Sequence, residues 1–377
     1  MRWTRRLAYP IATATAVIAA LGFAAPANAS YAKAPLTLGW HPAGPVHSSL
    51  TLNGIVYLGG KLDGTGGIAA VDAASGDLLW MVPANNDVRA LTLSPDGSRL
   101  YAGGQFSSVD GATHRHLVAI DLADHTVVSN WKAGAAGTVR DLVVFGNDLY
   151  VAGKITSVGG VSHRGIGAVL TTTGKPDPAF TFTADNDVLG LALNGSQLLL
   201  SGSFSHISGA FRSNLASIDL TTNALTSWAP AKLCSSCDQY WDVQTDGVNA
   251  YVGTSGFQGF LGAFNLTTGR QPWRLIATDG DVQTLRLAGD GELYFGGHFA
   301  HYISDGVNRL DQGVVGALYT ATGRLDTSFT PKIYKTYPGG WAITSTPDKL
   351  WVGGDFGGEQ VNGKNNKLPY LAAYPGV

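Results

Sequence analysis

LYAGGQF occupies residues 100–106, and close copies return as LYVAGKI (149–155), LLLSGSF (198–204), LYFGGHF (293–299) and LWVGGDF (350–356). Two looser copies, VYLGGKL (56–62) and AYVGTSGF (250–257), bring the total to seven. The second residue of the phrase falls at 57, 101, 150, 199, 251, 294 and 351, so the steps are 44, 49, 49, 52, 43 and 57 residues. Self-similarity at this spacing marks one supersecondary unit copied along the chain. Each unit carries the same order of signals. A strand opening on Val, such as DVRALTLS (87–94) or DVQTLRLA (281–288), alternates apolar and polar residues. A tight Gly/Asp turn follows, PDGS (95–98) being one example, where these residues supply positive φ. The phrase itself is the second strand, and its Gly pair lets the backbone crowd against a neighbour. A polar loop leads to a third strand such as HLVAIDL (116–122) or NLASIDL (214–220). After a Thr-Gly turn a fourth strand ends on an aromatic residue.

Four strands in about 50 residues, seven times over, predict an all-β fold: a seven-bladed β-propeller of four-stranded antiparallel blades. Ring closure tests the count. The last copy stops at LPYLAAYPGV (368–377), only its third strand, while LTLGWHPAGPVHSSLTLNG (36–54) mimics VSNWKAGAAGTVRDLVVFG (128–146). Trp40 thereby takes the place held by Trp80, Trp131, Phe180, Trp228, Trp273 and Phe329. Residues 36–42 are therefore expected to supply the missing outer strand of the last blade and leave no orphan edge.

Residues 1–29 read as a secretory signal: Arg2, Arg5 and Arg6, then an apolar run, then Ala27–Ala29 as a small-residue cleavage site. The Arg5–Arg6 pair leaves the Sec and twin-arginine routes both open. The apolar run is short for a membrane span, and no Cys precedes position 234 to carry a lipid. The expectation is a secreted protein, residues 30–377 forming one propeller without a membrane anchor, and a monomer. Losing the three arginines moves the net charge from −2 to −5, which gives no electrostatic reason to expect nucleic acid. Charged residues are 14%, well below the roughly 25% usual in soluble domains.

AVDAASGDLLW (70–80) and AFNLTTGRQPW (263–273) resemble the A-x-D-x-x-T-G-x-x-x-W signature of quinoprotein-type propellers. GGQFSSVDGATHRHLVAIDL (103–122) is similar to the delta-60-type repeat of secreted β-propellers of unknown function from high-GC Gram-positive bacteria. The resemblance spans 36–377 and implies a fold more than a chemistry, since most of the matching residues are turn glycines and core aromatics.

In such a ring the fourth-to-first and second-to-third connections emerge on one face beside the channel. The second-to-third loops carry His114, Arg115, His116, His163, Arg164, His206, Arg212, His298, His301 and Arg309, a polar face suited to anionic or sugar ligands. The recurring Arg equally suits packing between blades. Three unusual loops, 229–243, 300–313 and 331–340, add Tyr240, Trp241, Tyr302, Tyr334 and Tyr337, which suit sugar or protein recognition or serve as lids on the rim. Just before the first-strand Val stand Asp87, Asp187, Asp242 and Asp281, with Pro45, Thr138 and Gly340 in the other units. Four such carboxylates could ring a Ca²⁺ ion or each cap its own turn. Cys234 and Cys237 are the only cysteines, and in an exported chain the expectation is a disulfide closing a small local ring.

Two functions follow. A non-catalytic scaffold for an extracellular carbohydrate or protein fits the absence of any contiguous catalytic motif. An extracellular enzyme (a lyase, hydrolase or quinoprotein-like dehydrogenase) with a dispersed site at the channel mouth is the alternative.

Overall fold

The computed structural model describes residues 31–377, apart from 257–258, 278, 290, 300, 335–338, 362–363 and 367–368. The expected signal at 1–29 lies outside the described residues, as does Tyr337. Seven strands form the inner ring: Val46–Leu52, Val88–Leu93, Ala135–Phe145, Val188–Asn194, Tyr240–Thr245, Asp281–Leu287 and Gly340–Thr346. Each packs against the inner strands on both sides, and the seventh meets the first. Behind each lies the LYxGG strand and then a third strand, antiparallel throughout. No helix is present among the described residues. The chain is a seven-bladed β-propeller with mostly four-stranded blades.

The ring closes through the N-terminal segment, but with a different register from the one expected. Tyr31 bridges Gly376, and the N–H groups of Ala32 and Leu36 donate to the carbonyls of Pro375 and Ala373, both at 2.8 Å. Cover of the last blade is therefore already in place at Tyr31, five residues before the expected strand. By residue 39 the segment has crossed to blade 1, where the N–H groups of Gly39 and Trp40 donate to Ser75 and Gly76. Leu38 and Trp40 wedge into the core shared by the last and first blades, with Trp351, Leu371 and Val56.

Aromatic pairs explain the seam between blades. The phrase tyrosine meets the fourth-strand aromatic of its own blade, for example Tyr101–Trp131 at 5.4 Å and Tyr251–Trp273 at 5.8 Å between ring centres. The indole then reaches the next blade. Trp131, Trp228 and Trp273 donate Nε1–H to the carbonyls of Leu170, Asn265 and Thr320, each at the end of the following blade's third strand. On the opposite face, short hairpins such as Ser108–Val109/Ala112–Thr113 and His206–Ile207/Ala210–Phe211 rise from the second-to-third loops. They lean outward onto the preceding blade, through Ala84↔Val109 and Ala184↔Ile207. The ring is thus latched on both faces.

Candidate site at the channel mouth

The site grows out of the Gly pair. Near its start every inner strand carries a β-bulge, between Val88 and Ala90 in blade 2 and at the equivalent place in the other six. A bulge bends the strand and re-aims a side chain. It presses a carbonyl against the second strand: a Cβ on Gly104 would lie 2.2 Å from the Asp87 oxygen, and one on Gly202 2.2 Å from the Asp187 oxygen. Only glycine leaves room there. The bulged residue itself lines the channel mouth in all seven blades.

Those seven positions differ sharply in chemistry. Blades 1–3 contribute His47, Arg89 and Arg140; blade 4 contributes Leu189; blades 5–7 contribute Trp241, Gln283 and Trp341. Together they rim a cavity of about 460 Å³, within the range of small-molecule sites. Asp87, fully buried, organises one side: His47 Nδ1 lies 2.6 Å from one of its oxygens and Arg89 Nη2 2.8 Å from the other. Arg140 lies 5.7 Å over the Trp241 ring and has no ion-pair partner among the described residues. Burial, with the nearby Arg89 charge, lowers its pKa to about 10, partly offset by Asp87 and Asp187. Trp341 is flanked by His47 at 5.6 Å and His298 at 6.3 Å. Several polar atoms of these side chains are closed off from water: Arg89 Nε, Arg140 Nε, Trp241 Nε1, Trp341 Nε1 and Gln283 Oε1 have no hydrogen-bond partner among the described residues. Such groups are costly to leave unpaired.

The four aspartates do not form a ring. Asp87, Asp187 and Asp281 share the position two before the bulged residue, but in blade 5 that place is held by Gln239 and the Val place by Tyr240, which pairs with Thr254. Likewise Gly339, not Gly340, takes the aspartate position in blade 7, Gly340 being the residue directly before the bulged Trp341. Asp242 sits beyond the bulge, at the position of Asp141 in blade 3. Asp281 accepts from the Gly256 N–H at 3.0 Å and Gln283 Nε2 at 3.3 Å. Among the described residues no three His, Cys, Asp or Glu side chains gather so as to hold a metal ion. Asp141 and Asp242 instead join blades: each accepts, at 2.7 Å, a backbone N–H of the next blade, from Leu191 and Leu285 respectively. Burial pushes both carboxyls up to about 7, Asp242 adding to the shift at Asp141, while the backbone donors oppose it.

Most of the expected His/Arg face also serves the fold. His163 is buried against Phe180, with Nδ1 3.4 Å from the Phe182 carbonyl. His114 is buried, and desolvation lowers its pKa. His116, at φ +65°, is 3.1 Å from the Gly104 carbonyl. Arg212 donates to the carbonyls of Phe211 and Thr226. His206 and His301 pair with Asp185 and Asp279. Arg309 lies over Tyr302 at 3.8 Å and pairs with Asp311. Arg115 and Arg164 are exposed on their loops. Tyr240 is no lid: it is fully buried, its hydroxyl accepting the Leu233 N–H at 2.6 Å. Tyr334 lies in a two-residue strand, Ile333–Tyr334, paired with the last blade's hairpin. Cys234 and Cys237 stand at disulfide distance, S–S 2.00 Å. Of the residues singled out from sequence, Trp241 and Asp242 line the mouth, Asp87 stands behind His47 and Arg89, and His298 flanks Trp341. His47 was read from sequence only as flanking the first fourth-to-first crossing, and Arg89, Arg140, Gln283 and Trp341 were missed. The second glycine of the phrase was the available signal, because counting back 14–16 residues from it lands on the residue before the bulge.

No known family profile matches the chain, and no curated protein matches it in sequence. Solved structures do match in shape. The WD40 β-propeller domain of Doa1 is similar with a TM-score of 0.60 at 10% identity, over 92% of this chain and 97% of that one. The computationally designed Ika8 protein is similar with a TM-score of 0.55 at 11% identity, over 92% of this chain and all of that one. At such identities the likeness establishes the fold and nothing about chemistry.

Proposed function

We propose that this chain is an exported, non-catalytic propeller that captures a small anionic ligand at the bulged mouth of its channel. The observation that carries the reading is Arg140, a partly buried guanidinium on the cavity wall without a carboxylate partner among the described residues, beside an ion-paired Arg89. A cation so placed is normally paired, and a ligand carboxylate or phosphate would complete it bidentately. Export rests on residues 1–29, and membership of the delta-60-type secreted propellers rests on the repeat residues alone. The enzyme alternative is weakened by the roles of Asp141 and Asp242. Their raised pKa values would suit proton transfer, yet both carboxylates are engaged by backbone N–H groups across the blade seams.

The test is a thermal-melt series with phosphate, sulfate, acetate and citrate at constant ionic strength, on wild type and Arg140→Gln. A ligand at a hundredfold excess over its dissociation constant stabilises by about 2.7 kcal/mol. Stabilisation by at least one anion, lost in Arg140→Gln, is expected. No response to any anion in the wild type would remove the reading.

A further inference from the structure

The chemistry of the mouth narrows the ligand further. One side is cationic, with Arg89 and Arg140 contiguous in the ring, and the other is aromatic, with Trp241 and Trp341 on either side of Gln283. The polar side chains on the wall are not all of one kind. Guanidinium and indole N–H groups can only donate, whereas the Gln283 amide and the Ser49 hydroxyl, both on residues of the cavity wall, can donate and accept. A bare inorganic anion offers acceptors and no donors. An aromatic acid offers a carboxylate and a flat ring but nothing for Gln283 and Ser49. A sugar acid offers a carboxylate, several hydroxyls that both donate and accept, and an apolar ring face for an indole. Apolar–polar surfaces of this sort are what tryptophan, with its large body and single polar edge, recognises well.

We propose, on the basis of the anion-binding reading above, that the mouth binds a carboxylated pyranose, a hexuronate residue free or at the end of a saccharide. Its carboxylate meets Arg140, with Arg89 held beside it by Asp87. Its ring lies toward Trp241 and Trp341, and its hydroxyls answer Gln283 and Ser49. Arg140 over the Trp241 ring fixes the spacing between charge and platform, which a ligand carrying its carboxylate directly on the ring can match.

The experiment is calorimetry with intrinsic tryptophan fluorescence on the exported protein, titrated with glucuronate, galacturonate, glucose, galactose, benzoate and acetate at constant ionic strength. At least one uronate should bind tenfold or more tighter than its neutral parent sugar and than acetate, and change the indole emission. Arg140→Gln should lose at least tenfold in uronate affinity, and Arg140→Lys should recover only part of it. Trp241→Ala should bring the uronate down to the level of acetate; melting each variant separates lost binding from lost folding. Uronates no tighter than acetate would overturn the sugar assignment while leaving an anion site in place. Benzoate binding tighter than both uronates would overturn it in favour of an aromatic acid. Silence from every acid, together with no response in the anion melts, would overturn both readings.

Discussion

The two ends of the channel are built from the same seven strands and could hardly differ more. At the far end, where inner and second strands turn, the residues repeat a small vocabulary: Asn53–Gly54, Gly146–Asn147, Gly195 and Gly247, with positive φ at the glycines. The third-to-fourth turns on that face are equally uniform. Asp72, Asp219 and Asn265 each accept the N–H groups two and three residues on, the side-chain turn that makes up the quinoprotein-like signature. That opening widens into a cavity of about 910 Å³ whose wall includes Thr51, Thr245, Thr344 and Thr346. At the near end the backbone repeats just as strictly, a bulge in every blade, but the bulged side chains are His, Arg, Arg, Leu, Trp, Gln and Trp. Where backbone and side chain repeat together, the residue serves the turn. Where the backbone repeats and the side chain does not, the residue is not dictated by the turn, and it is on such positions that the proposed ligand site draws.

Four experiments break or sharpen that contrast, the first three in descending order of effect on stability. Removing residues 31–40 strips the last blade of its cover and takes Leu38 and Trp40 out of a shared core. A single buried Leu→Ala change costs about 2–5 kcal/mol, so the truncated chain should aggregate or lose most of its cooperative melt; one that melts like the parent would overturn the closure. Next, Gly202→Ala pushes a Cβ into the Asp187 carbonyl and should cost about 1–3 kcal/mol by urea denaturation. A neutral result would show that the bulge can shift and that the mouth is less fixed than described. Third, replacing Cys234 and Cys237 with Ser should cost about 2 kcal/mol at most, and peptide mapping should find the pair joined.

The fourth experiment reads a pH dependence. Asp141 and Asp242 have folded-state pKa values raised to about 7, above the roughly 3.9 of an unfolded aspartate. The folded state therefore binds the proton more tightly, so their contribution is fully present below about pH 4 and is lost as pH rises through about 7. Asp141→Asn cannot titrate. Its stability deficit against wild type should shrink between pH 5 and pH 8 in parallel denaturations; a constant deficit would mean the carboxyl is not perturbed.

The fold was legible because its determinants are local and repeated: Gly pairs, turn aspartates, and an aromatic at the end of each unit. The mouth was not. Blade 5 shows why. Tyr240 replaces the Val before the bulge and Thr254 replaces the second glycine, while Val243, three residues later, offers a convincing false start. Aligning on that Val placed Asp242 with Asp87 and Asp187 and suggested a cation ring. The His and Arg of the hairpins misled differently. Their loops do stand on the correct face, but the hairpins tilt outward to the neighbouring blade, a direction set by packing rather than by period. Arg89 and Arg140 lie in plain strand positions next to Val, where alternation alone marks them as ordinary exposed residues.

The way the ring is shut has a practical consequence for anyone handling the protein. Its first described residue, Tyr31, is 2% exposed, whereas its last, Val377, is 82% exposed. The strand edge at 371–375 must wait for a segment more than 300 residues away in the chain, a non-local contact of the slow-forming kind. A fusion or purification handle placed directly before Tyr31 competes with that final pairing, while the same handle after Val377 leaves it untouched.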